Sequence, residues 1–129
     1  RAAWTLGAGL YDDGASHEPV LRSGLSWGRG LTTRWGGAWI NVDAAGEWRV
    51  DSAGAVAKLD ATLGHTLRTD DKAMFQLQAN DYPDSDPALR VVPSYALSIG
   101  EGRHLELGVS APVTGTSGVR LTLGTWLSF

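Results

Sequence analysis

From Ala55 to Arg68 the chain reads Ala55-Val56-Ala57-Lys58-Leu59-Asp60-Ala61-Thr62-Leu63-Gly64-His65-Thr66-Leu67-Arg68. The odd positions are apolar apart from His65, and the even ones are mostly polar, charged or Gly. A period of two kept up over fourteen residues marks a strand with unlike faces, and no helical stripe fits it. Extended outward, the same alternation predicts strands at about 2–11, 20–27, 37–50, 55–68, 73–80, 88–99, 104–113 and 119–129. Their mean length is near 11 residues. Soluble strands are usually about 5–6 residues, whereas a tilted membrane-spanning strand needs about 9–11.

Turn chemistry separates these runs: Asp12-Asp13-Gly14, Asp51-Ser52-Ala53-Gly54, Thr69-Asp70-Asp71-Lys72, Asp81-Tyr82-Pro83-Asp84, Gly100-Glu101-Gly102 and Gly115-Thr116-Ser117-Gly118. Pro93 falls inside a predicted strand, where its missing N–H calls for a bulge. The chain begins at Arg1 without an initiator Met or a secretion signal, which leaves both a removed signal and a longer parent chain open.

Composition narrows the class. The 129 residues, 43% hydrophobic and 19% charged, suit one domain spanning 1–129. Eleven Lys+Arg against fourteen Asp+Glu give a net charge of −3, which argues against a nucleic-acid partner. The absence of cysteine excludes disulfides, thiolate metal sites and cysteine nucleophiles. Three scattered histidines lack metal-site spacing, so no metal or cofactor is expected. No apolar run approaches the roughly 18 residues of a spanning helix.

Three features say which face points outward. The apolar faces of the predicted strands hold no Asp, Glu, Lys or Arg, and one histidine, His65. Aromatics gather near strand ends: Trp4, Trp27 and Phe129 at one rim with Trp35 in the adjoining turn, and Tyr11, Trp48 and Tyr82 at the other. Rims of this kind suit the headgroup zones of a bilayer. The polar face mixes small Gly residues with Arg22, Asp43, Glu47, Arg49, Lys58, Asp60, Arg68, Arg90, Glu106 and Arg120, as the interior of a narrow barrel would. Six cations against four anions predict a paired, plugged interior, with Trp39 and Trp126 adding bulk. The expected fold is all-β: an antiparallel up-and-down transmembrane barrel of about eight strands, closed alone or as part of a larger barrel.

The last strand, Val119-Arg120-Leu121-Thr122-Leu123-Gly124-Thr125-Trp126-Leu127-Ser128-Phe129, ends on Phe with apolar residues alternating before it. In this it resembles the outer-membrane β-barrel proteins of Gram-negative bacteria. The resemblance implies that Leu123, Leu127 and Phe129 act as a signal to the barrel-assembly machinery. The stretch from Leu59-Asp60-Ala61-Thr62-Leu63-Gly64 through Pro93-Ser94-Tyr95 and Leu105-Glu106-Leu107-Gly108-Val109 also looks like the C-terminal part of longer outer-membrane proteins. These include transporters grouped with phenol-degradation pathways. With Phe129 at the periplasmic rim, residues 28–36, 69–72 and 100–103 would face the periplasm, and 12–19, 51–54, 81–87 and 114–118 the outside.

Catalytic chemistry is thinly supplied. His65 could meet Ser23 only if the strands paired suitably. His104 beside Glu106 reads as an interior hydrogen-bonder, and His17 as a solvated residue of the Gly14–Pro19 loop. The acidic run Asp81–Asp86 lacks the glycine and terminal carboxylate of a calcium loop. An integral outer-membrane pore, transporter or structural protein without catalysis is therefore expected, in contact with lipid. The alternatives are a loop-mediated component of an envelope complex or homo-oligomer, and an outer-membrane lipid-modifying enzyme.

Overall fold

The computed structural model describes residues 1–12, 17–50, 54–67, 69–83, 85–114 and 118–127. They form eight strands: β1 (Ala2–Asp12), β2 (His17–Thr33), β3 (Gly36–Arg49), β4 (Ala55–Thr66), β5 (Lys72–Asp81), β6 (Ala88–Gly100), β7 (Arg103–Pro112) and β8 (Arg120–Leu127). Every strand pairs antiparallel with its sequence neighbours, so one sheet runs β1 to β8 in chain order. Among the described residues no ladder joins β8 to β1, and these two strands are the edges of the sheet.

The alternation read in the sequence decides the faces. Leu59, Leu63, Phe75, Leu77, Leu97, Leu107 and Leu123 are all exposed on one surface. The buried apolar side chains among the described residues are Val20, Val56, Met74, Val92 and Ala96, and all stand on the other surface, with the charges. That second surface is concave. One cavity of about 870 Å³ touches residues of seven consecutive strands, from Gly28 and Gly30 of β2 to Trp126 of β8. Neighbouring strands lie about 4.8 Å apart, so a flat sheet would hold β2 and β8 nearly 30 Å from one another. Curvature brings them to the same cavity.

Three sequence expectations need correction. Residues 28–36 are not a long turn: β2 runs on to Thr33, and only Arg34 and Trp35 separate it from β3. Of the glycines here, Gly28 leaves room that an added Cβ would take from Asn41 Oδ1 at 2.9 Å, whereas Gly30 has open space. Gly28 faces Asn41 and Gly30 faces Trp39 across the β2–β3 ladder, small residues set against larger ones. His17 is not a loop residue, because it opens β2 opposite Asp12. Pro93 makes no bulge either. The β6–β7 register is the same on both sides of it, and the pairs at Val92 and Pro93 are simply missing from that ladder. The lost N–H bond therefore falls on the β7 side, while Pro93 stays opposite Phe75 of β5. The register shift lies at Ser98/Gly100, beside the turn, where Gly100 and Gly102 take positive φ values of 154° and 65°.

Candidate functional site

The concave face is the place where polar groups converge. β3 presents Trp39, Asn41, Asp43 and Glu47, and β4 presents Lys58, Asp60 and Thr62 at positions of the same parity. Cross-strand register then fixes the neighbours. Arg22 faces Glu47, Asp43 faces Asp60, Asp60 faces Gln78, and Gln78 faces Arg90. Lys58 lies between Ala45 and Asn80, and Arg49 stands opposite Val20. Nine of the ten charges picked from the sequence thus fall on one surface; Arg68 lies outside the described residues.

Their partners are more varied than a plug of ion pairs. Arg90 is buried, and its guanidinium donates to Ser110 Oγ at 2.7 Å, to the Ser110 carbonyl at 2.9 Å and to the Gly118 carbonyl at 3.0 Å. Glu106 accepts the indole N–H of Trp126 at 2.7 Å. Asp43 accepts the side-chain amide of Asn41. Gln78 donates to Gln76 at 2.9 Å along β5. Arg120 faces Ser110 at the open end of β8. The two bulky rings lie where expected. Trp39 covers Gly64, where an added Cβ would come within 2.1 Å of ring atom Cζ2, and both Trp39 and Trp126 border the cavity.

A second cluster binds the β4–β5 turn to β6 and β7, and charge counting along the strands did not reveal it. The Asp71 carboxylate accepts from the Tyr95 hydroxyl at 2.6 Å, the Ser98 backbone N–H at 2.8 Å and the Thr69 hydroxyl at 2.8 Å. Those donors favour the charged form, with the Tyr95 bond first, and hold Asp71 below the usual carboxylate range. Beside it, Lys72 Nζ lies 3.3 Å from Asp70 Oδ1 and 3.1 Å from His104 Nε2, and His104 Nε2 lies 3.4 Å from Asp70 Oδ2. Asp70 itself adopts φ +64°, a conformation Asp tolerates better than most residues. His104 is thus an interior hydrogen-bonder. In the sequence, Thr69-Asp70-Asp71-Lys72 signalled only a turn; that Asp71 meets β6 and Asp70 meets His104 of β7 depends on the register of the sheet.

The remaining candidates disperse. His65 Nε2 lies 3.2 Å from Thr33 Oγ1, while Ser23 pairs with Leu6 and Gly46, so His65 and Ser23 are not brought together. Among the described residues no group of three His, Cys, Asp or Glu side chains could hold a metal. Trp4, Trp27, Trp35 and Trp48 are exposed. Trp4 and Trp27 lie level with one another near the start of β1, but six further β2–β3 pairs separate Trp27 from the turn that holds Trp35. Trp27 and Trp35 therefore do not share the rim the sequence suggested, and Trp48 lies toward the opposite strand ends. Leu123 and Leu127 are exposed on β8. Phe129 and the side chain of Tyr11 lie outside the described residues. Comparison of the chain with protein-family models, with curated proteins and with solved structures finds no match in any of the three.

Proposed function

We propose that the chain forms the wall of an integral outer-membrane β-barrel, serving as a pore, transport or structural protein without catalysis. One observation carries this reading: the sheet is inside out. Exposed leucines, valines and aromatics cover the convex face, where Arg29, Asp81 and Arg103 are charged strand residues, while most of the charges and the amides line the concave one. In water so much contiguous apolar surface drives association. In a bilayer it is the face that belongs against lipid.

Closure follows from the same solvent argument. In hydrocarbon every backbone N–H and C=O needs a partner, so the outer edges of β1 and β8 must be joined, to each other or through further strands. Eight strands alone close around an interior that side chains just fill or that holds one small ligand, and more strands leave a channel. The cavity of about 870 Å³ favours an open aqueous interior over the plug that charge balance suggested. The assembly machinery would read Leu123, Leu127 and Phe129, and lipid would be the principal partner.

Refolding into uncharged detergent tests the reading. A β-type circular dichroism spectrum, with unheated protein migrating apart from boiled protein on a denaturing gel, is expected. Full solubility as a monomer in buffer would overturn it.

A further inference from the structure

The concave face sorts its charges by depth. Arg22, Arg49, Lys58, Arg90 and Arg120 all lie toward the strand ends that carry residues 50–54 and 113–119, accompanied there by Glu18 and Glu47. The large cavity opens below them. Of the charged residues just named, none borders it; the acids that do are Asp43 and Glu106, on opposite walls in β3 and β7. Asp60 faces Asp43 from β4, with Lys58 two residues away on the same face. The two rings bordering the cavity are Trp39 and Trp126. Its remaining charged neighbours are Arg1, exposed at the start of β1, and Arg29, exposed within β2 at the parity of Trp27 and Leu31, which is that of the convex face.

We propose that this cavity is a cation-selective site, admitting small inorganic and organic ammonium cations and turning anions away. The inference rests on the reading of the concave face as an aqueous interior. Magnitudes decide between the acids and the arginines. Two unit charges 4 Å apart interact by about 1 kcal/mol in bulk water and about 4 kcal/mol at the effective dielectric near a protein surface. Asp43 and Glu106 are half-buried, so their field reaches the cavity, whereas water and salt screen the exposed Arg1 and Arg29 within about 8 Å. Neither acid is used up by its neighbours. Asn41 supplies a hydrogen bond to Asp43, and Trp126 one to Glu106. A carboxylate has room for about four, so each retains acceptor capacity toward a guest. The faces of Trp39 and Trp126 add a second attraction for organic cations.

Charged quenchers of tryptophan fluorescence test this without requiring the chain to conduct. Replacing Trp4, Trp27, Trp35 and Trp48 by Phe leaves only the two cavity rings. In uncharged detergent, quenching by N-methylpyridinium should exceed quenching by iodide at least about threefold after scaling each to neutral acrylamide. The pair Asp43→Asn and Glu106→Gln, which keeps one acceptor oxygen at each position and removes the charge, should bring the ratio close to one. Should the fourfold variant not refold, the difference between the parent chain and Trp39→Phe, or Trp126→Phe, reports the same ratio. Gel migration before and after boiling is scored on the same samples. A folded, heat-shifted protein with equal quenching, stronger iodide quenching or no quenching by any of the three overturns the cation site alone. Loss of the heat shift in the parent chain overturns the barrel reading beneath it.

Discussion

The ring of Trp39 lies directly on Gly64, its partner across the β3–β4 ladder, so closely that a methyl group on Gly64 would overlap three ring atoms. The pair shows how the concave face is built: a large side chain on one strand occupies the space its neighbour leaves empty. Gly30, which faces Trp39 from the other side, has open space around its Cα.

Gly64→Ala should therefore destabilise the fold by about 1–3 kcal/mol, as overpacking does, while Gly30→Ala should be close to neutral. Combining Gly64→Ala with Trp39→Leu should recover most of the loss. Urea unfolding in the presence of lipid vesicles measures all four chains, and equal effects at Gly64 and Gly30 would contradict the packing described.

On the proposed reading, the exposed apolar surface makes a prediction opposite to that for a water-soluble protein. Leu77 lies mid-way along β5 and is exposed. Leu77→Arg should cost about 2–4 kcal/mol in bilayers. Gln76→Arg, one residue away on the concave face, should change stability by under about 1 kcal/mol. The same unfolding experiment compares them, and a harmless Leu77→Arg would argue that this face meets water.

Asp71 gives the β4–β5 turn a pH dependence whose sign is fixed. Its carboxyl is held below the usual range by Tyr95, Ser98 and Thr69, so the charged form is the one the folded state favours. The stabilisation is complete above the unfolded-state pKa of about 3.9 and is lost as pH falls through the lower folded value. Asp71→Asn should lower stability at neutral pH and flatten the decline below about pH 4. Parallel stability–pH curves for the two chains would show that the contacts to Tyr95 and Ser98 contribute nothing.

Deleting Phe129 should reduce the amount of protein reaching the outer membrane while leaving refolded protein nearly as stable. A rim aromatic contributes only part of the roughly 3–5 kcal/mol of a buried one. Equal yields in cells would remove the assembly role assigned to Leu123, Leu127 and Phe129.

Strand identity and facing were legible because a two-residue period is a local property: the run from Ala55 placed Leu59 and Asp60 on opposite faces before any partner was known. What misled was chemistry with two meanings. Residues 28–36 read as a connection in the sequence, yet Gly28 and Gly30 pair with Asn41 and Trp39 within a strand. Pro93 spells a bulge, yet the ladder tolerates two missing pairs without shifting register. Within the candidate site, the charges were found because they interrupt an alternating pattern. Asn41 and Gln76 escaped notice because an uncharged amide on a polar face stands out from nothing around it. The Asp71–Tyr95 bond joins residues 24 apart in sequence, and the β5–β6 register, which pairs Lys72 with Ala96, brings them together.

The absence of cysteine permits the most direct test of the inside-out arrangement, because single cysteines placed at positions 73–80 of β5 can be spin-labelled without background. With the protein in bilayers, collision with oxygen reports contact with lipid, and collision with a water-soluble nickel chelate reports contact with water. Positions 73, 75, 77 and 79 should favour oxygen, and 74, 76, 78 and 80 the chelate, in strict two-residue alternation. Chelate access at Phe75 and Leu77 equal to or above that at Gln76 and Gln78 would contradict a membrane-facing apolar surface.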